Sequence, residues 1–251
     1  MIRLQELTLG YGARILLDRA TATIAAATMT ALIGRNGTGK STLLRAIAGL
    51  EPCRGGAVLL DGRPLPQLTP QRLAETVAFV HTERIRVANL RCRDVVALGR
   101  APYTNWIGRM QPADAAIVER SLAQVGMADF ADRTLDRLSD GECQRVMIAR
   151  ALAQQTPIIL LDEPTSFLDL PNRYELCSLL GRLAREEGKC ILFSTHELDI
   201  ALSLCDAVAL IDPPRLCCLP PDELVRSGRL ERLFASDSVA FDAASGRILP
   251  R

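Results

Sequence analysis

The sequence predicts an α/β fold built around a phosphate-binding loop and interrupted by an all-helical insertion. Three observations predict it. Short apolar runs, "MTALIG", "TVAFV", "PIILLD", "KCILFST" and "AVALID", read as buried strands separated by helical patterns. Residues Gly34 to Ser41 match G-x-x-x-x-G-K-[ST] between one such strand and a helix. From about Val87 to Gln155 the pattern is helical, punctuated by Pro102 and Pro112, with no good strand.

The elements follow in order. "IRLQELTL" alternates apolar and polar residues and reads as a strand. "TATIAA" and "MTALIG" are two more, the second ending at Gly34. A helix is predicted from Lys40 to about Gly49, which stops it. "GGAVLLDG" is a glycine-bounded strand, and Thr76 to Val80 is another. After the insertion come "PIILLD", a helix from Leu170 to Glu187, "KCILFST", a helix from Glu197 to Leu204, and "AVALID". The tail from Pro213 is mixed and too short for an added regulatory domain.

Composition narrows the function. The 251 residues carry a net charge of +1, which gives no general pull toward nucleic acid or anionic lipid. The eight cysteines show no C-x-x-C pair and no histidine at zinc spacing, which argues against a zinc site and for reduced, partly buried thiols in a cytosol. Met1 leads directly into "IRLQELTLGYG", without the apolar run of a secretory leader, and no apolar stretch is long enough to cross a membrane.

The residue types of the loop suit a phosphate. Gly34, Gly37 and Gly39 let the backbone wrap closely, and the N–H groups of Arg35, Asn36, Gly37, Thr38 and Gly39 point inward. Lys40 reaches the β- and γ-phosphates, and Ser41, followed by Thr42, ligates Mg²⁺. A carboxylate pair supports this reading. Asp162 and Glu163 leave the carboxyl end of an apolar strand, where ligands bind in open α/β sheets. Asp162 would hold Mg²⁺ and Glu163 would polarise a water near the γ-phosphate. A third feature is "SDGE", Ser139 to Glu142. As S-x-x-E it reads as a capping box, in which Ser139 accepts from a backbone N–H and Glu142 folds back. The same helix start could instead present the free N–H groups of Ser139 and Gly141 to an anion.

At this point the residues resemble the ATP-binding-cassette family over nearly the whole chain. The motifs are "GRNGTGKST", the signature "LSDGE", "IILLDEP", "SFLD" and "STHE". The resemblance implies a P-loop NTPase cassette with a RecA-like α/β core, an antiparallel β subdomain and an inserted helical subdomain. Residues 1–251 would form one ATPase domain, with the core at about 1–86 and 156–251 and the helical subdomain at about 87–155. It implies ATP and Mg²⁺ as cofactors, and two copies packed head to tail around two ATP molecules. Ser139, Gly141 and Glu142 would then serve the partner's ATP. Tyr11 matches the aromatic that stacks on adenine, Asp169 the loop that crosses the dimer interface, and His196 the histidine that contacts the γ-phosphate. Tyr11 could instead be core edge, and His196 a satisfied strand-end histidine.

Three positions depart from the family pattern. The glutamine expected after "VAFV" is absent: Thr82 stands at the ungapped position and Glu83 follows, and either could be a metal ligand in its place. Asp140 replaces a signature glycine and is expected to point away from phosphate. Glu197 stands where aspartate is commoner. "VALGRAPYTNWIGRM", Val96 to Met110, is similar to a segment of cassettes that serve importers of ferric siderophores, haem and cobalamin. In those importers it lies near the loop that receives the permease. Tyr103 and Trp106 could equally be packing. The resemblance thus implies a bacterial importer ATPase on the cytoplasmic face of the inner membrane. Its expected partners are a permease dimer and, indirectly, an extracytoplasmic substrate-binding protein, with no nucleic acid. An exporter ATPase or a soluble non-transport cassette protein are the alternatives.

Overall fold

The computed structural model describes residues 1–82, 89–104, 110–234, 239–242 and 247–250. Strands β1 (Ile2–Tyr11), β2 (Arg14–Ile24) and β3 (Thr28–Gly34) lead into helix α1 (Lys40–Ile47). Strands β4 (Gly55–Leu60) and β5 (Arg63–Pro64), the short helix α2 (Pro70–Ala74) and strand β6 (Val77–Val80) follow. Then come helices α3 (Cys92–Ala97), α4 (Pro112–Gln124) and α5 (Asp140–Ala153), with no named strand among the described residues between β6 and β7. The chain returns to β7 (Ile158–Leu161), α6 (Leu170–Glu187), β8 (Cys190–Ser194), α7 (Leu198–Ser203), β9 (Ala207–Asp212) and β10 (Arg215–Leu219). Helices α8 (Pro221–Arg226) and α9 (Arg229–Phe234) and the hairpin of β11 (Val239–Asp242) and β12 (Arg247–Pro250) complete it. Among the described residues no helix is long and apolar enough to cross a membrane.

The large sheet has the order β10-β9-β3-β8-β7-β6, parallel except for the edge strand β10. A second, antiparallel sheet runs β2-β1-β4-β5. Side chains of the parallel strands alternate between two cores, as the period of two requires. Met29, Ala31, Ile33, Ile159, Leu161, Ile191 and Phe193 enter the core shared with α5 and α6. Leu32, Ile158, Leu160 and Leu192 enter the other, where Leu43, Leu44 and Ile47 of α1 and the inner faces of β1 and β2 meet them. Strands buried on both faces read as unbroken apolar runs, which is why they were legible in the sequence.

Some elements differ from expectation. Strand β2 begins at Arg14, not at Thr21, because a tight turn with Gly12 at φ +52° pairs Tyr11 with Arg14. The exposed Asp18-Arg19 pair, with Arg19 at φ +46°, breaks the alternation where the ladder shifts register, hiding the strand's first half. The mixed tail contains β10, which edges the large sheet.

Gly99, Arg100 and Tyr103 of the "GRAPY" segment pack against α5 and the residues that follow it. A Cβ on Gly99 would lie 2.3 Å from the Arg150 carbonyl oxygen, so only glycine lets this turn approach α5. The buried Arg100 guanidinium donates to Asp114 Oδ1 (2.8 Å), the Ala153 carbonyl (2.8 Å) and Gln155 Oε1 (3.0 Å). It also lies 4.1 Å from the centroid of the Tyr103 ring, whose hydroxyl donates to the Gln154 carbonyl at 3.0 Å. Trp106 lies outside the described residues.

Candidate functional site

The phosphate loop leaves the carboxyl end of β3. Gly37 (φ +73°) and Gly39 (φ +104°) take left-handed conformations open to glycine, and Gly39 is the N-cap of α1. Lys40 is buried, its Nζ donating to the Gly34 carbonyl at 3.1 Å. Burial pulls the ammonium below the ordinary lysine value, while the carboxylates of Glu163 and Asp162 push it back up. Thr38 Oγ1 closes the loop on the Arg35 carbonyl (2.8 Å), and Arg14 Nη2 of β2 braces the Gly37 carbonyl (2.8 Å). Tyr11, half exposed, donates to Thr42 Oγ1 at 3.3 Å, which sets its ring beside the start of α1.

Strand β7 delivers the two carboxylates. Asp162 is buried and its Oδ1 accepts from Ser194 Oγ at 2.6 Å. Glu163 has φ +46°, a left-handed conformation that costs an L-residue about 1 kcal/mol. Its N–H donates to Ser194 Oγ (2.8 Å), and its Oε1 lies 2.8 Å from His196 Nε2. The His196 and Glu163 side chains are both partly exposed. A carboxylate and an imidazole in hydrogen-bond contact, both open to solvent, can hold and deprotonate a water. Thr82, just past β6, donates from Oγ1 to the Asp162 carbonyl at 2.9 Å. Glu83 lies outside the described residues.

The parallel order β3-β8-β7-β6 explains this convergence. The phosphate loop, Ser194 with His196, Asp162 with Glu163, and Thr82 all leave the carboxyl ends of four adjacent strands. The available donors are hard oxygens, the Asp162 carboxylate and the Ser41 hydroxyl, and these suit Mg²⁺. Among the described residues no group of three or more His, Cys, Asp or Glu side chains could hold a metal unaided. That composition fits a metal completed by substrate phosphates.

The signature forms the start of α5. Ser139 is its N-cap, and the capping box is closed: Glu142 N–H donates to Ser139 Oγ (3.3 Å), while Ser139 N–H and Oγ donate to Glu142 Oε2 (2.7 and 2.8 Å). The reading of a free Ser139 N–H is therefore corrected: the carboxylate one turn on holds it, since a short acidic side chain at that spacing reaches its own cap. Gly141 packs on the following loop, where a Cβ would stand 3.1 Å from Leu168 Cδ2. Ser139, Gly141, Phe167 and Asp169 line one recess, which no phosphate-loop residue shares. Asp169 is the N-cap of α6 and accepts from the Asn172 N–H at 3.2 Å.

Sequence reasoning passed over Ser194, Arg14, Thr165 and Arg173. Thr165 Oγ1 and Arg173 Nη1 both bond Glu197 Oε1 at 3.1 Å, tying the loop after β7 to the turn that carries His196. Burial raises the Glu197 carboxyl, and Arg173 opposes that rise. Ser194 stood in the quoted "STHE" motif, so a signal for it existed. Arg14 carried none.

A family model for ABC transporters matches residues 17–166, from β2 through the phosphate loop and the signature to the loop after β7. The chain belongs to the ABC transporter family. It is an ATP-binding cassette that hydrolyses ATP. The cassette is 38% identical to the achromobactin transport ATP-binding protein CbrD of Dickeya dadantii, over 93% of this chain and 87% of that one. It is 33% identical to the ferric enterobactin transport ATP-binding protein FepC of Escherichia coli, over 96% of this chain and 89% of that one. Among solved structures, a dimeric bacterial ABC transporter cassette superposes with a TM-score of 0.76 at 28% identity, covering 88% of this chain and 99% of that one.

Proposed function

We propose that this cassette powers an importer of iron-siderophore, haem or cobalamin-type chelates, working as a homodimer beneath a permease dimer on the cytoplasmic face of a bacterial inner membrane. The contact between Glu163 Oε1 and His196 Nε2, 2.8 Å apart beside the phosphate loop, carries the hydrolytic part of the reading. The likeness to chelate-transport ATP-binding proteins supports the importer part. Residues 87–155 act as the helical subdomain within one ATPase domain, and an extracytoplasmic binding protein supplies the solute.

The loop from Gly34 to Thr42 cradles the phosphates, Lys40 turning from the Gly34 carbonyl to the β- and γ-phosphates, and Tyr11 stacks on adenine. Ser41 and Asp162 hold Mg²⁺, which when bound neutralises charge on the phosphates. Glu163 takes a proton from water for in-line attack on the γ-phosphorus, and His196 steadies that water and contacts the γ-phosphate. The signature of the second copy completes the site: its Gly141 N–H and Ser139 approach the γ-phosphate, and Glu142 releases Ser139 as they do so. Asp169 lies where the two copies meet. The recess that holds Ser139 and Gly141 without any phosphate-loop residue supports action in trans.

Two experiments test this reading. Lys40→Ala should weaken ATP binding at least tenfold by equilibrium titration, since the buried ammonium is the loop's one positive side chain aimed inward. An unchanged ATP Kd would remove Lys40 from the site. A tagged Glu163→Gln chain, pulled down from solubilised native membranes with MgATP, should bring a polytopic permease in about equal amount. Recovery of the chain alone, or with ribosomal or DNA-processing proteins, would defeat the importer reading.

A further inference from the structure

We infer that Thr82 and Ser194 are positioning residues that clamp the Asp162–Glu163 peptide from both ends and so hold Glu163 in its working orientation. The inference rests on the proposed role of Glu163 as base.

The Asp162 carbonyl and the Glu163 N–H are the two ends of one peptide unit. Thr82 Oγ1 donates to that carbonyl at 2.9 Å. Ser194 Oγ accepts from that N–H at 2.8 Å. A hydroxyl has one proton, and that of Ser194 is committed to Asp162 Oδ1 at 2.6 Å, leaving a lone pair for the amide. The clamp thus reaches the metal-site carboxylate and the backbone of the base together.

The peptide needs such a clamp. Glu163 sits at φ +46°, a region that L side chains occupy only when their surroundings over-determine them. Strands β6 and β8 flank β7 on either side, and each supplies one hydroxyl from just beyond or at its carboxyl end. With the peptide free to rotate, the carboxylate would leave the His196 ring, 2.8 Å away. Thr82 therefore acts through the backbone, a different role from the metal ligation its position in the sequence suggested.

The test uses the full chain, with Thr82→Val and Thr82→Ser each made in the wild-type and Glu163→Gln backgrounds. ATP turnover is measured against both ATP and Mg²⁺ concentration, and thermal unfolding checks that each variant is folded. Thr82→Val is expected to lower kcat roughly tenfold, as loss of a supporting hydrogen bond commonly does, with the KM for ATP and the half-activating Mg²⁺ concentration unchanged. Thr82→Ser should restore most of the turnover. In the Glu163→Gln background Thr82→Val should cause no further loss, because the group it positions is gone. Wild-type kcat in Thr82→Val, an equal fractional loss in both backgrounds, or a raised Mg²⁺ requirement would each overturn the clamp. Wild-type turnover by Glu163→Gln alone would instead refute the base assignment on which the clamp depends.

Discussion

Replacing Glu163 with glutamine is expected to lower kcat for ATP hydrolysis by roughly 10²- to 10⁴-fold, the range seen when a positioned general base is removed. ATP affinity should change little. Glutamine keeps the size of the side chain and can still hydrogen-bond His196, 2.8 Å away, but it cannot accept a proton from water. The Ser194 bond to the residue-163 N–H involves only backbone on that side and should survive. Binding without turnover should leave a long-lived ATP-bound dimer, visible as a doubled mass by light scattering with MgATP. Steady-state turnover and ATP titration on the same preparation decide the matter. Hydrolysis at the wild-type rate would take Glu163 out of the mechanism, whatever else the loop does.

The second large effect is on stability. Asp114→Ala is expected to lower the unfolding free energy by about 3 kcal/mol in chemical denaturation, at the lower end of the cost of breaking a buried ion pair. Its partner Arg100 is buried and would keep its charge without a counter-charge. The alanine would also leave the Gln111 N–H at the start of α4 without its 2.8 Å acceptor. A loss below about 1 kcal/mol would mean that the Ala153 and Gln155 oxygens satisfy the guanidinium unaided. The same residue sets a pH dependence. The Gln111 N–H first, and Arg100 second, hold the Asp114 carboxyl below its ordinary value. A depressed folded pKa contributes stability that is fully present above the unfolded pKa, near 4, and is lost as pH falls through the folded value. Wild-type stability should therefore drop below about pH 4, and Asp114→Ala should flatten that part of the curve.

Much of this fold and part of its site were legible beforehand. The buried strands "MTALIG", "PIILLD" and "KCILFST" could be read because both faces of the large sheet are covered. Helix α6 runs from Leu170 to Glu187 as expected, bounded by the Asp169 cap and by Gly188 at φ +67°. The closed capping box of Ser139 and Glu142 is equally local. Periodicity, caps and left-handed glycines act within a few residues, so a sequence states them directly. The first half of β2 was hidden because its Asp18-Arg19 bulge breaks the alternation that reveals a strand.

By itself, then, the sequence determined the parallel strands of the large sheet, helices α1 and α6, the phosphate loop and the residue types available for phosphate chemistry. Which of those residues meet was decided by the tertiary structure. Thr82 reaches Asp162 across 80 residues, and Ser194 reaches it across 32. Glu163 and His196 touch only because β7 and β8 are neighbours. Arg100 is tied to Asp114 and to the Ala153 carbonyl at the end of α5, contacts 14 and 53 residues apart that no local pattern announces. Strand order in a parallel sheet is set by how crossovers pack onto its two faces, a property of the whole chain that no local pattern carries.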